Sequence, residues 1–220
     1  MQVLAIETST LTGSVALMSG DRLVGETTLS VSVRHSERLM PAVEQLLRDA
    51  NTLPSQVDLF AVAEGPGSFT GLRIGIAAAQ GLALAQGKPL VGVSTLQGLA
   101  MNAVFHPGLV VPVLNAFRGE VYFGIYRTAS GRPIPVQEET VVSLDDFMAL
   151  LDSQGESTLV LGDGVALCLP KMGSATSDKI TFDSGPLSTP RASNLAFLAL
   201  SRKAGERAGP VLPRYLRKPG

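Results

Sequence analysis

The residues whose types could do chemistry are few and widely spaced. Glu7 closes an apolar run and is followed by three hydroxyl residues, Thr8-Ser9-Thr10. Glu120 and Asp163 are two further carboxylates, each beside a turn-forming glycine. General acid–base work needs two such groups to converge, and spacing along the chain gives no sign that any two of these do. Metal chemistry has less support still. The histidines, His35 and His106, lie far apart with no cysteine or histidine partner nearby, and no H-E-x-x-H string occurs. His35 precedes Ser36-Glu37, so it is expected to shape a helix start rather than hold zinc. Cys168 stands between Leu167 and Leu169. It is expected to be a buried, inert thiol, because a nucleophilic cysteine needs an electropositive setting.

Two glycine turns stand out. In Gly65-Pro66-Gly67-Ser68-Phe69-Thr70-Gly71 the Pro and Gly residues set a tight turn, and Ser68 or Thr70 can cap a following helix. Such a helix start can attract an anion. No Lys follows the last glycine, however, so this is not a Walker loop, and Ser68 does not sit in a G-x-S-x-G elbow. Gly162-Asp163-Gly164 is a second, weaker candidate for a phosphate turn. The helix after the first turn places Gly71, Gly75 and Ala79 on one face, with Ile74, Ala78, Gly81 and Ala85 beside it. Each interior glycine costs about 1 kcal/mol relative to alanine. Close approach by another helix, the chain's own or a partner's, is the expected offset.

The elements that must position these residues follow from periodicity. Gln2–Glu7, Gly13–Met18 and Arg22–Leu29 read as strands, with Ser19-Gly20-Asp21 as a hairpin turn. From Ser36 to Ala50 the residues Leu39, Met40, Val43, Leu46 and Leu47 recur at helical spacing. A buried strand at Asp58–Ala63, a helix over Thr70–Gln86, a strand at Leu90–Val93 and a helix over Thr95–Val104 complete a βββαβαβα unit. The order then starts again: strands at Leu109–Asn115, Glu120–Arg127 and Ile134–Thr140, a helix over Leu144–Leu151 and a strand at Thr158–Leu161. After Gly164 the second copy reads as eroded until a last helix over Arg191–Ala208, which Pro210 and Pro213 end.

Composition fits a folded chain of 220 residues, 45% hydrophobic and 17% charged. With 18 basic against 19 acidic residues, a surface that grips nucleic acid throughout is not expected. No cleavable leader is read at the N-terminus. The most apolar stretch, Ile74–Ala85, falls short of the ~20 residues that cross a bilayer. A soluble, cytoplasmic protein with no membrane partner is the expectation.

Three antiparallel strands followed by alternating helices and parallel strands, done twice, resemble the ribonuclease-H-like α/β layout of the actin, Hsp70 and sugar-kinase superfamily. The resemblance implies a two-lobed fold with a reduced second lobe. The expected bounds are 1–106 for the first lobe with its partner-docking helices, and 107–220 for a degenerate lobe with the C-terminal helix and tail. In that superfamily the first hairpin of each lobe holds phosphates. Glu7, Thr8, Ser9 and Thr10, with Gly162, Asp163 and Gly164, are the matching positions. The second-lobe counterpart of Glu7 is the neutral Asn115, so a degenerate nucleotide cleft is expected rather than a competent ATPase.

The resemblance then narrows. Leu4-Ala5-Ile6-Glu7-Thr8-Ser9-Thr10, Ser14-Val15-Ala16-Leu17, His35-Ser36-Glu37, the run from Gly65 to Gly75, Gly81-Leu82-Ala83, Gly92-Val93-Ser94-Thr95-Leu96, Gly119-Glu120-Val121-Tyr122 and Tyr215-Leu216-Arg217 together resemble the TsaB family, also called YeaZ. The run G-P-G-S-F-T-G-L-R-I-G is the specific one. Departures occur at Glu7, where the family often has Asp, and at Asn115-Ala116-Phe117-Arg118, where it usually has a string like Asp-Ala-Arg.

This resemblance implies a non-catalytic subunit of the machinery that adds a threonylcarbamoyl group to adenosine beside the tRNA anticodon. The related transferase, TsaD, carries a metal-binding H-x-x-x-H whose positions here are Thr95 and Leu99, neither able to replace an imidazole. The implied partners are a TsaD-type transferase and a TsaE-type ATPase, with a homodimer when alone and tRNA met only through the complex. The implied docking residues are Leu39, Met40, Val43, Gly71, Ile74, Gly75 and Ala78. No cofactor or metal of its own is implied, and ATP or ADP is expected, if anywhere, at the interface of the complex. Two rivals stand beside this expectation. One is a stand-alone nucleotide-dependent enzyme or peptidase. The other is a tRNA-binding module using Arg214, Arg217 and Lys218.

Overall fold

A computed structural model describes residues 1–30, 35–172, 177–201 and 210–217, with the side chains of Ser30, His35 and Ser36 outside the description. The expectation for His35 therefore lies outside the described side chains. Two compact units emerge: Met1–Gly98 with Pro190–Arg214, and Leu99–Thr189 with Tyr215–Gly220.

The first unit is built on β1 (Gln2–Glu7), β2 (Thr12–Ser19), β3 (Arg22–Ser30), β4 (Leu59–Gly65) and β5 (Leu90–Ser94), in the sheet order β3-β2-β1-β4-β5. β1 is central, antiparallel to β2 and parallel to β4. Val3 to Glu7 are all buried, which explains why β1 reads as an unbroken apolar run instead of an alternation. One face carries Leu4, Ile6, Val15, Leu17, Phe60 and Val62. It meets α1 (His35–Asp49) and α2 (Phe69–Gln86) through Leu39, Val43, Leu46, Leu47, Ile76 and Ala79. α1 holds its course despite Pro41 inside it. α3 (Thr95–Ala100) leads into a short 3-10 turn ending at Ala103, so the helix expected over Thr95–Val104 tightens in its last turn.

The second unit repeats the plan. β6 (Leu109–Phe117), β7 (Glu120–Ala129), β8 (Arg132–Ser143), β9 (Thr158–Leu161) and β10 (Ile180–Asp183) pair in the order β10-β9-β6-β7-β8. Read from β8, this is the order of the first sheet, with the same antiparallel and parallel pairings. α4 (Leu144–Asp152) takes the place of α1 and is capped by Ser143, whose Oγ accepts from the Asp146 amide at 3.1 Å. Its Phe147 meets Phe123 with ring centroids 5.0 Å apart. The counterpart of α2 has shrunk from 18 residues to α5 (Val165–Cys168), four residues long. The stretch after Gly164 that reads as eroded thus keeps both α5 and β10. Their brevity among Gly, Pro and Ser hides the periodicity. The duplicated α/β plan with a reduced second copy is the ribonuclease-H-like fold.

Two differences from the sequence expectation concern the C-terminus. The last helix, α6 (Ala192–Leu200), packs on β1 and β2 of the first unit rather than on the second sheet. It has no side-chain cap of its own. The Ala192 amide donates to Ser14 Oγ at 3.1 Å, the Ser193 amide donates to Glu26 Oε1 at 2.9 Å, and Arg191 pairs with Glu26 Oε2 at 2.7 Å. A cap supplied from strands far away in sequence leaves no local signal, and it fixes the helix to the first sheet. Residues 202–208 of the expected helix lie outside the description. The bounds of 1–106 and 107–220 accordingly differ from the observed units, because Pro190–Arg214 returns to the first.

Candidate functional site

The end of β1 and the start of α2 form one interlocked structure. Ser68 caps α2, its Oγ accepting from the Gly71 amide at 3.2 Å. The Ser68 amide donates to Ser9 O at 2.7 Å and the Leu72 amide donates to Ser68 O at 2.9 Å. Thr8 Oγ1 donates to Gly71 O at 2.8 Å. A Cβ at Gly67 would collide with Ser9 O, one at Gly71 with Thr8 O, and one at Gly75 with Thr8 Oγ1. These three glycines exist because α2 lies directly on the end of β1. The helix glycines at 71 and 75 are therefore explained within the chain, not by another helix.

This packing also takes up part of the helix start. The amides of Ser68, Gly71 and Leu72 already have partners in the chain, and the backbone of Thr8 and Ser9 fills the approach to the helix start. These three amides are therefore not offered to an anion. Glu7 is 1% exposed, and its Oε1 accepts from the Ser9 amide at 2.6 Å. Burial pushes its carboxyl from 4.5 up to about 7, against the opposing pull of the Ser9 hydrogen bonds. Among the described residues the buried hydroxyl of Thr95 has no hydrogen-bond partner. Thr95 opens α3, while Leu99 is buried and packs against Gly162.

The corresponding hairpin of the second unit is built differently. Asn115 Oδ1 accepts from the Phe117 amide at 2.8 Å, matching the bond from the Ser9 amide to Glu7, but the group is a neutral amide. Asp163 sits on the exposed side of its turn and accepts from the Asn115 amide at 2.9 Å. Gly162, at φ +119°, and Gly164 both press on the backbone of Val113, and the Gly164 amide donates to Val113 O at 3.1 Å. So Gly162-Asp163-Gly164 is a turn committed to holding β6. Among the described residues no group of three or more His, Cys, Asp or Glu could hold a metal ion. Cys168 is buried, and burial pushes its thiol up to about 11.

The expected docking residues divide into two sets. Leu39 and Val43 are core residues beneath α1, and Gly71 and Gly75 are closed by Thr8. These four cannot meet a partner without unpacking the first unit. Met40 is 36% exposed, and Ile74 and Ala78 lie half-buried at the rim of the core. The expected docking set leaves out the outer face of α2, although Gly81 and Ala85 are read beside the small-residue face: Thr70, Arg73, Ala77, Gly81, Leu84 and Ala85 are all exposed, and Arg73 is the one charge in 18 residues. Among the described residues nothing lies within 4 Å of where a Cβ at Gly81 would point. The residues sequence reasoning passed over there are Thr70, Arg73, Ala77 and Leu84, which lie on the same helix face as Gly81. In the tail, the Arg214 amide donates to Glu64 O at 2.6 Å, and Arg217 pairs with Glu120. Lys218 lies outside the description.

The family model for tRNA N6-adenosine threonylcarbamoyltransferase, TsaD, matches residues 29–184. The tRNA threonylcarbamoyladenosine biosynthesis protein TsaB of Bacillus subtilis is 36% identical over 217 residues, covering 99% of this chain and 94% of that one. The crystal structure of YeaZ from Pseudomonas aeruginosa superposes with a TM-score of 0.82 at 31% identity, covering 98% of this chain and 99% of that one. A more distant likeness, to the activator of 2-hydroxyisocaproyl-CoA dehydratase from Clostridium difficile, has a TM-score of 0.50 at 11% identity over 91% of this chain and 94% of that one, and speaks for the fold alone. Over nearly its whole length, then, this chain belongs to the TsaB (YeaZ) family.

Proposed function

We propose that this chain works in tRNA threonylcarbamoyladenosine biosynthesis as a non-catalytic subunit that activates a TsaD-type transferase by docking to it. The biosynthetic role is the one named for its Bacillus subtilis relative. The non-catalytic role is supported by the closure of the β1–α2 turn on itself and by the buried hydroxyl and isobutyl groups at Thr95 and Leu99. A TsaE-type ATPase joins the pair, and tRNA is met through the assembly rather than by this chain alone. The engagement of Arg217 by Glu120 supports that last point, since it leaves the tail less charge to offer phosphate.

The observation that carries the docking surface is the outer face of α2. An exposed glycine inside a helix costs about 1 kcal/mol relative to alanine, and among the described residues nothing lies within 4 Å of a Cβ at Gly81 to offset it. With Ala77 and Leu84 it forms a nearly uncharged stripe onto which a partner helix can close. Met40, Ile74 and Ala78 extend that face toward α1. Copies of the chain share the same surface, so the homodimer and the transferase complex are mutually exclusive uses of it.

Gly81→Leu with Ala77→Arg tests this reading, because both positions are solvent-facing and the fold is expected to survive. The double variant is expected to lose co-purification with the transferase, to run as a monomer in light scattering, and to fail in reconstituted tRNA modification. A folded variant that retains full binding and full modification would sink the docking claim. ATP turnover or proteolysis by the isolated wild-type chain, abolished by Glu7→Ala, would favour the stand-alone enzyme instead.

A further inference from the structure

The tip of the β6–β7 hairpin is held in a backbone state that its sequence does not favour. Phe117, Arg118 and Gly119 have φ of +61°, +57° and +78°, so three successive residues are left-handed. Phe117 faces Glu120 across the hairpin, which leaves Arg118 and Gly119 as a two-residue turn of the type that wants Asn-Gly. For residues with a Cβ the left-handed state costs roughly 1–2 kcal/mol each. Phe117 is 68% exposed, so burial of its ring does not offset that cost.

What holds the tip is a set of hydrogen bonds inside the second unit. Asn115 Oδ1 takes the Phe117 amide at 2.8 Å, and the Leu144 amide donates to Gly119 O at 2.9 Å. The remaining two contacts come from the far end of the chain. Arg217 Nη2 donates to Ala116 O at 3.1 Å and pairs with the Glu120 carboxylate. One guanidinium thus bridges both arms of the hairpin, one residue before Phe117 and one after Gly119. A single terminal nitrogen, Nη2, makes both contacts, so a charged group with two free protons is what the site requires.

We propose that the C-terminal segment Tyr215–Arg217 is a strap that locks the β6–β7 hairpin in its left-handed conformation, so that the tail fixes how Phe117 and Arg118 are presented. The strap makes the order of this hairpin independent of any ligand at the second-lobe turn. It also gives the basic tail an intramolecular use in place of contact with nucleic acid.

Hydrogen exchange of the full-length protein tests this, read at the Phe117 amide and in peptides covering 115–121. Arg217→Ala is expected to speed exchange there about five- to tenfold, the effect of losing a charged hydrogen bond and a half-exposed ion pair. Glu120→Gln should give a smaller rise. Arg217→Lys, which keeps the charge and a donor, should stay within about twofold of the wild type on the same reasoning. The interior of β6 at Val111 and Val113 serves as the control for global unfolding. Unchanged exchange at Phe117 in Arg217→Ala, or equal loosening at the tip and at Val111, would overturn the strap.

Discussion

The ends of β1 and β6 occupy the same place in two copies of one sheet, and they have been closed by opposite means. At β1 a carboxylate, Glu7, is buried, and an 18-residue helix lies on the strand end across Gly67, Gly71 and Gly75. At β6 the same position is the amide Asn115, the helix is four residues long, and the hairpin is held from outside by Asp163 and the tail residue Arg217. Each lobe has given up an open turn, one through backbone packing and the other through side-chain ties. The difference teaches where each lobe is intolerant: the first to added volume, the second to loss of a polar partner.

The comparison breaks hardest at Gly71. Gly71→Val drives a branched side chain into the Thr8 carbonyl, a backbone atom that cannot step aside. A loss of more than about 3 kcal/mol is expected in urea unfolding, or no folded protein at all. Gly75→Ala should cost less, since the neighbour it meets is the Thr8 hydroxyl. Gly81→Ala, with no neighbour, should gain up to about 1 kcal/mol. Equal effects at Gly71 and Gly81 would remove the packing explanation of the glycines.

Glu7 supplies the next largest effect. Its carboxyl is pushed up from 4.5 to about 7 in the folded chain, so the folded state holds the proton more tightly than the unfolded state. Stability is therefore fully present below about pH 4.5 and falls as pH rises through 7, by about 3 kcal/mol in total. Glu7→Gln gives the first lobe the neutral group that Asn115 already provides in the second. Its unfolding free energy should vary less between pH 5 and 8, and should exceed that of the wild type at pH 8. Parallel curves for the two proteins would show that Glu7 does not carry this proton. In the second lobe, Asp163→Ala removes the acceptor for the Asn115 amide, with an expected cost of about 1–2 kcal/mol. That cost should be confined to β6 and its turn in hydrogen exchange.

Much of this was legible in the sequence, and the parts that were not share a cause. The strands β1 to β9 and the helices α1, α2 and α4 announce themselves through apolar periodicity, because each buries a regular face. The repeat of element order is enough to expose the duplication. The cap of α6 by Ser14 and Glu26, the tie of Arg217 to Glu120, and the closure of Gly71 by Thr8 are all contacts between residues distant along the chain. A glycine in a helix signals close approach but does not say to what. The sequence leads to the expectation of another helix, the chain's own or a partner's, where the structure brings the chain's own strand end. Leu39 and Val43 suit docking or core equally well for the same reason, and at 6% and 1% exposure they lie in the core.

The smallest expected effect isolates the cost of the second lobe's solution. Arg118 occupies the first position of the two-residue turn at φ +57°, is exposed, and is followed by Gly119. Arg118→Asn supplies the Asn-Gly pair that such a turn prefers, since a short amide side chain tolerates the left-handed region. A gain of about 0.5–1 kcal/mol is expected, seen as a small rise in the thermal midpoint, with no counterpart in the first lobe, whose β1–β2 turn has no positive-φ residue outside glycine among those described. The same substitution should blunt the exchange increase caused by Arg217→Ala, because a turn that prefers its own conformation depends less on being tied. If the two changes were simply additive, with the tip loosening as much as in the parent chain, strain at Arg118 and restraint by Arg217 would be unrelated features of the hairpin.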